Sequence, residues 1–527
     1  MGRRRKHWGW GFEDEQPPLS ELQAAAKGLR AHLGFGGEIV EEPAPLDQVS
    51  LTPPRVGIPA ELRDIASDDV HARALNAQGR SYADVVRGFR GLFPYPPDFV
   101  VSPRDEDEVR QVLDWAGEAG IAVSPVGGGT SVVGGIDARP GPDHAGAIAL
   151  SLRSMRSVLE VDEVSRAARI EAGATGPELE TALRERGLTL RFYPQSFELA
   201  TLGGWIATRA GGHFATGPTH IDDLVQSVRA ITATGEVWAS RRLPGSGAGP
   251  SPDRLLLGSE GTLAVITEAW VRVLERPRER RSASVRFTDF ATGCAAVREI
   301  VQAGLLPANC RLIDAREAAA TFAGDGSHAL LVLAFEAAAV TVNERMDHAL
   351  RICERFTGDW EEKPTDERGS MGAWRDAFVR APYLRDTFVA MGVLSETFET
   401  AVTWDRLDAF VEDVRGSAEA ALREVCGEGQ VTVRLTHAYP DGAAPYFTCL
   451  APASRGEEIA QWAQVKRVAS EAILRCGGTI THHHAVGRDH RPWYDRQRPE
   501  PFAAVLRAAK AAVDPRGILN PGVLVDP

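Results

Sequence analysis

Three consecutive histidines, His482-His483-His484, are the densest potential chemistry in the chain. Imidazole titrates near neutral pH, so such a run could relay protons or supply positive charge. It could also bind a metal with His490, but adjacent residues on a strand point to opposite faces. Neither an H-E-x-x-H helix nor a Cys partner accompanies the run, so no metal is assigned. Three glycine-rich patches form the second group. In the first, Pro125-Val126 leads into Gly127-Gly128-Gly129-Thr130-Ser131, with Gly134-Gly135 behind. Glycines let backbone N–H groups close around an anion, and the two hydroxyls add donors. This loop is neither G-x-G-x-x-G nor G-x-x-x-x-G-K-[ST]. Alone, it reads equally as a tight turn. The second patch runs from Gln195-Ser196 through Thr201 and Gly203-Gly204 to Thr208-Arg209-Ala210-Gly211-Gly212. It reads as backbone packed on a ligand, or as a Gly-rich helix start. The third, Gly258-Ser259-Glu260-Gly261-Thr262-Leu263-Ala264-Val265-Ile266-Thr267, is by itself ordinary turn chemistry before a strand.

These patches need elements to hold them. Asp105 to Gly120 is an amphipathic helix, with Val109, Val112, Leu113 and Ala116 on one face. Ile121 to Val123, Ala147 to Leu152, Ala168 to Glu171 and Leu263 to Val273 read as strands. Pro177 to Arg186 reads as a helix followed by Gly187. Val225 to Ala239 reads as a hairpin turning at Thr234-Gly235. Ala329 to Val342, interrupted by Glu336, is a buried strand or helix. Val431 to Thr436 reads as a strand, and Trp404 to Glu424 and Glu457 to Cys476 as long helices. Pro94, Pro96 and Pro97, and later the charged stretch Arg276 to Arg281, mark boundaries. The expected division is 1–93 (helical and loop), 94–276, 277–470 (α+β) and 471–527.

Composition narrows the function. With 59 Lys and Arg against 72 Asp and Glu, the net charge is −13, which argues against nucleic acid. Arg3-Arg4-Arg5-Lys6, the one basic run, reads as a solvated tail rather than a membrane contact. Trp8-Gly9-Trp10-Gly11 follows it in place of a signal-peptide core, and no run of about 18 apolar residues exists. Six scattered Cys without a C-x-x-C pair fit reduced thiols. The chain ends Val525-Asp526-Pro527, without a Ser-Lys-Leu address. A cytoplasmic, bacterial protein is expected.

Taken together and in order, the three patches resemble the FAD-binding domain of the vanillyl-alcohol-oxidase and p-cresol-methylhydroxylase flavoproteins. The resemblance implies an α+β protein: a two-subdomain FAD-binding domain of that type with an α+β cap domain. It assigns Pro125 to Ser131, Gln195, Ser196, Thr201, Gly204, Thr208 to Gly211, Glu260, Gly261, Thr262, Val265 and Ile266 to the cofactor. Thr130 stands where some relatives tether FAD through His, so FAD is expected to be non-covalent. Within this group, His482-His483-His484-Ala485-Val486-Gly487 with Trp493 resembles the alkyldihydroxyacetonephosphate synthase family. Trp8-Gly9-Trp10-Gly11, Tyr383-Leu384-Arg385-Asp386, Glu396-Thr397-Phe398-Glu399-Thr400, Trp404-Asp405-Arg406, Val433-Arg434-Leu435-Thr436 and Tyr446-Phe447 agree with it. So does the ending Asp514-Pro515 to Leu519-Asn520-Pro521-Gly522.

That family resemblance implies an exchange without net oxidation. The acyl chain of acyl-dihydroxyacetone phosphate is replaced by a fatty alcohol, giving an ether lipid precursor. It implies Arg385 as phosphate clamp, with Thr397 beside it and Arg311 in support. It implies Tyr446 as acid and base, which needs positive charge nearby, and His482, His483 and His484 could supply that charge or relay protons. Ala485 departs from the family's Gly, Arg488 from its Lys, and Pro445 precedes the acid/base tyrosine. The expected partners are lipid substrates, and a peripheral membrane contact and a homodimer are both compatible with the sequence. The alternative is an FAD-dependent 2-hydroxy acid dehydrogenase or oxidase, whose members usually carry Glu-His-Gly where this chain has the His triplet.

Overall fold

The structure, a computed structural model, describes residues 3–321, 323–363 and 381–526. The Val109, Val112, Leu113 and Ala116 stripe lies buried on helix Glu106–Ala119, which Asp105 caps through the Glu108 N–H and Gly120 ends at φ 63°. This helix connects β2 (Phe99–Val101) to β3 (Ile121–Val126). With β1 (Ala66–Ser67) and β4 (Gly146–Ser151) they make a sheet of order β1-β2-β4-β3. Strands β2, β4 and β3 run parallel. Crossover sheets are covered on both faces, which is why β3 and β4 are continuously apolar and almost wholly buried. The first glycine loop leaves the carboxyl end of β3, where open α/β sheets place ligands.

A second, antiparallel sheet has order β5-β6-β10-β8-β9. It comprises β5 (Val158–Asp162), β6 (Ala167–Glu171), β8 (Val225–Ile231), β9 (Val237–Ala239) and β10 (Val265–Arg272). The ribbon β7 (Leu188–Thr189) and β11 (Leu274–Glu275) flanks it. The predicted strands and the hairpin fall on these elements within two or three residues. Both sheets share one apolar core, which the chain's end re-enters through Ile518, Leu519 and Val523. There Val123 N–H donates to Ile518 O and Asn520 N–H to Val123 O, at 2.8 and 2.9 Å.

The remaining strands are β12 (Glu279–Phe287), β13 (Asn309–Ile313), β14 (Ala329–Ala337), β15 (Asp359–Lys363), β16 (Val393–Glu399), β17 (Val402–Thr403), β18 (Gln430–Ala438) and β19 (Gly442–Pro452). They form one antiparallel sheet of order β15-β12-β14-β13-β18-β19-β16, with β17 pairing β19. The apolar stretch at Ala329 is thus a strand. Its Glu336 binds Arg191 at 2.7 Å rather than facing the core. Strand alternation sorts this sheet into two faces. Cys310, Leu312, Val431, Val433, Phe447, Cys449 and Phe398 pack into a core with helices Phe290–Gln302, Leu407–Cys426 and Glu458–Arg475. The intervening Arg311, Thr397, Thr432, Arg434, Tyr446 and Thr448 line a cavity.

The basic N-terminal run is not a solvated tail beyond Arg4. Lys6 Nζ lies 3.0 Å from Asp386 Oδ2, and both side chains are buried. Arg5 Nη1 donates to Gly128 O. Trp10 N–H donates to both Asp386 oxygens, at 3.1 and 3.2 Å. The two glycines have separate reasons. A Cβ on Gly9 would sit 2.6 Å from Asp386 Oδ2, and Gly11 turns back at φ 81°. Trp8 and Trp10 are buried between these contacts. Trp8 and Trp10 are apolar anchors that carry the cations inward, which a run of charge alone does not reveal.

Lys6→Met leaves Asp386 buried without its cation, a loss of about 3–5 kcal/mol for a broken buried pair. Burial already draws the Asp386 carboxyl upward, and Lys6 offsets part of that. The variant's thermal midpoint should therefore fall most near neutral pH, and the deficit should shrink in acid as Asp386 protonates. An unchanged midpoint at pH 7 refutes this.

Candidate active site

One cavity of about 390 Å³ joins the glycine patches to the polar face of the large sheet. On its first side, Gly127 and Gly128 have no room for a side chain. A Cβ would strike Thr201 Oγ1 at the former and Leu199 O at the latter. Gly129 adopts φ 65°. Among the described residues, no protein group accepts from the backbone N–H of Gly128, Gly129 or Thr130. Beside them, Arg5 has Nε and Nη2 buried without an acceptor. Burial, with Arg80 nearby, draws its pKa down to about 9, so it is still a cation at neutral pH. Unpaired donors and a desolvated cation fit a phosphate-bearing cofactor such as FAD. The predicted cofactor positions line this cavity except Arg209 and Thr262. Arg209 turns away to Asp222 at 2.7 Å, and Thr262 is buried with its hydroxyl on Ser259 O at 2.7 Å.

The opposite wall carries the cations. Arg311 on β13 is 1 % exposed, and Arg434 on β18 pairs with Glu317 at 2.6 Å. Burial, then the neighbouring Arg434, draws Arg311 down to about 9. The guanidinium carbon of Arg434 sits 3.9 Å from the centre of the Tyr446 ring. Arg385 donates to Arg80 O at 2.7 Å and lies 3.5 Å from Thr397 Oγ1. Asp314, which follows β13, caps helix Ala315–Ala320 through the Glu317 N–H. Apolar Trp10, Val132, Leu384, Phe388 and Leu450 line the same cavity.

Pro445 sits within β19, although proline breaks a strand ladder. The strands solve this with a register shift between Leu435 and His437, directly opposite. The bulge brings both Thr436 and His437 to the cavity wall.

The histidine loop is held by two buried carboxylates. Glu399, at the end of β16, accepts the backbone N–H groups of His482, His483 and His484 at 2.5, 3.1 and 2.8 Å. It also accepts the Thr481 hydroxyl at 2.8 Å. From the other side, Glu260 accepts Val486 N–H at 2.9 Å and Gly487 N–H at 2.8 Å. Burial pushes the Glu260 carboxyl up to about 7. Burial also works against charge on Glu399, but the three histidines and Thr481 hold its carboxyl well below the usual range. Ala485 bridges the two anchors at φ 75°, the left-handed region in which the expected glycine would be relaxed. His490 is buried on Ala485 O at 2.9 Å.

The histidines differ from expectation in charge. Burial draws His483 down to about 3 and His484 to about 4, despite Glu399, and holds His482 well below its ordinary value. They are neutral at pH 7, and the fixed positive charge at Tyr446 is Arg434. His483 and His484 line the cavity with Tyr446, ring centres 6.2 and 5.7 Å away. His482 stands behind them. The sequence reading gave no role to Glu399, Arg434, Glu317, His437, Tyr439 or His220. Strand parity with Thr397 and Tyr446 could have flagged Glu399 and Arg434. Nothing local could have flagged His220.

Comparison with known proteins agrees with this architecture. Residues 97–240 match the family model described as FAD binding domain, and residues 276–524 the model described as FAD linked oxidases, C-terminal domain. The chain belongs to this family of FAD-linked flavoproteins, and FAD is its cofactor. Within that family it groups with the alkyldihydroxyacetonephosphate synthases. The enzyme of that name from Dictyostelium discoideum is 29% identical over 88% of this chain and 79% of its own. A solved alkyldihydroxyacetonephosphate synthase superposes with TM-score 0.81 at 25% identity, covering 98% of both chains. A glycolate oxidase subunit of Bacillus subtilis is 26% identical over 81% of this chain and 88% of its own.

Glu399→Gln puts an amide NH2 against backbone N–H groups that now converge on a carboxylate. Each buried donor so orphaned costs about 1–3 kcal/mol. The variant should keep its flavin absorbance, unfold at lower temperature and lose activity at least tenfold. Wild-type activity would show that the loop holds its shape without the anion.

Proposed function

We propose that the protein exchanges the acyl chain of acyl-dihydroxyacetone phosphate for a fatty alcohol, forming an ether bond. The observation that carries this reading is the convergence of Arg311, Arg385 and Arg434 with Tyr446 in a cavity that also has an apolar lining. A ketone phosphate dianion needs fixed cations, and guanidinium offers a bidentate fork. Half-exposed Leu384 with Phe388 and Leu450 offers a surface for an alkyl chain. Such residues also suit peripheral contact with a membrane, and no helix among the described residues is long and apolar enough to cross one.

In this reading residues 94–276 hold FAD, 277–470 form the substrate cap and 471–527 close the site, with 1–93 bracing both. Bound FAD supplies the electrophilic centre for the exchange. Arg385 and Arg311 bind the phosphate, and Thr397 orients Arg385. Tyr446 takes the proton from the carbon beside the ketone. To do so it must act as the phenolate, which the transfer leaves as the phenol, and Arg434 on its ring is the fixed cation beside it. Neutral His483 and His484 donate or accept hydrogen bonds around the reacting oxygens. Burial excludes water, which would otherwise compete with the alcohol. FAD is proposed to be non-covalent, since Thr130 offers no imidazole at the glycine loop.

A 2-hydroxy acid oxidoreductase is the second reading, favoured by the shared cofactor half and by the likeness to the glycolate oxidase subunit. Three arginines for one carboxylate weigh against it.

Two measurements test these statements. Acid precipitation should release yellow FAD into the supernatant, and flavin left on the precipitate would mean a covalent tether. Palmitoyl-dihydroxyacetone phosphate and labelled hexadecanol, mixed with the protein without an electron acceptor, should yield a labelled ether-linked ketone phosphate. Tyr446→Phe should cut that yield at least about 100-fold, as loss of a general base does, with the flavin spectrum intact. A D-2-hydroxy acid that bleaches the flavin while no ether forms would favour the second reading.

A further inference from the structure

From His483, on the cavity wall, a line of imidazoles runs back to His482 and His220, to which the proposed exchange has so far given no task. His483 Nδ1 is 3.0 Å from His482 Nδ1. His482 Nε2 is 3.1 Å from His220 Nε2 and 2.8 Å from Tyr439 Oη. His220 Nδ1 is 3.0 Å from Arg209 O, and Tyr439 Oη is 3.1 Å from Thr219 Oγ1. The participants come from the glycine-rich segment after helix Leu202–Thr208, the end of β18 and the loop on Glu399. Gly211 permits the meeting, because a Cβ there would lie 3.1 Å from His483 Cβ.

One proton assignment of the neutral rings satisfies every contact. A carbonyl only accepts, so His220 Nδ1 carries hydrogen and its Nε2 is an acceptor. His482 Nε2–H therefore donates to it, and also to Tyr439 Oη, whose own hydrogen goes to Thr219. His482 Nδ1 is then left to accept from His483 Nδ1–H. Every bond points the same way, from the cavity toward partly exposed His220. A proton added at His483 Nε2 can pass along the line by successive transfers and reside on His220. Burial above all draws that imidazole down, and Arg209, His482 and His437 also oppose the cation, while Asp222, the Arg209 carbonyl and Asp223 favour it. His437 itself is pinned to Gly212 O at 3.0 Å and is not a member.

The exchange needs such an exit. The ester C–O bond to the glycerone carbon breaks and the ether C–O bond forms. The alcohol loses its hydrogen, and the acid leaves as a carboxylate at neutral pH. One proton per turnover must therefore leave a buried site, with no oxidant or reductant involved. We propose that His483, His482 and His220 form a proton wire that carries this proton from the cavity to the surface. The inference rests on the exchange reading above.

The test is His220→Asn in the FAD-loaded protein. Its amide can still donate to Arg209 O, which preserves the local fold, but it cannot accept and pass a proton. Ether formation should fall at least tenfold and be restored by added imidazole in a concentration-dependent manner. Flavin absorbance, thermal midpoint and KM for the acyl substrate should be unchanged, and imidazole should not accelerate the wild type. Wild-type turnover by the variant, or a loss that imidazole does not restore, overturns the wire. So does one equivalent of divalent metal in the purified protein removed together with activity by a chelator. His437, His482 and His483 hold ligand atoms within 4.8 Å of one another, and metal-bound nitrogens cannot relay. A wild type that makes no ether product sinks the exchange reading itself, and the wire with it.

Discussion

The arrangement depends on two buried carboxylates gripping one loop from opposite sides. Glu399 belongs to the cap sheet and takes the N–H groups of His482 to His484. Glu260 belongs to the third glycine patch, on the cofactor side, and takes those of Val486 and Gly487. Consecutive backbone donors in a loop have no helix or sheet to satisfy them, so buried anions are the solution open to the fold. The consequence is geometric. The loop cannot shift without orphaning donors at one end, so the imidazoles are fixed relative to both the glycine loops and the arginines. A positive-φ alanine, Ala485, is tolerated between the two grips because both over-determine its conformation.

The rest of the site is set by how burial treats its charges. Glu399 is saturated by donors, and Arg434 has Glu317. Arg5 and Arg311 are desolvated cations whose pKa values burial has lowered. Cations held out of water are costly by themselves and are offset by an incoming anion. Two such positions, one beside the glycine loop and one on the cap face, match the two phosphate-bearing groups of the proposed chemistry, cofactor and substrate. The N-terminal segment ties them together. Arg5 reaches Gly128, while Lys6 and Trp10 hold Asp386, the neighbour of Arg385.

Much of this was legible because it rests on period and on glycine. The helix at Glu106–Ala119, strands β3, β4, β6, β8 and β18, and the hairpin follow from local apolar runs, periodicity and turn residues. The glycine loops were recognised as a set, and Gly127 and Gly128 prove to have no space for a Cβ. Tyr446, Arg385, Arg311, Thr397, His483 and His484 line one cavity. The errors share a cause. Arg3 to Lys6 read as solvated, and positive charge was one reading of the His triplet, because both considered neighbours in sequence alone.

The sequence by itself determined which groups exist and which face of each strand bears them, since a two-residue period and a positive-φ glycine are local properties. It therefore determined a flavoprotein with a polar-faced cap and a histidine loop. Tertiary structure decided their states. Burial decided that the imidazoles are neutral and that Arg311 and Arg5 are desolvated cations, while long-range partners keep Glu399 an anion against burial, because desolvation and partners together set pKa. It also decided that His220 meets His482, 262 residues away, at the end of the line that starts from His483. No local pattern encodes a contact between segments that only the packed core brings together.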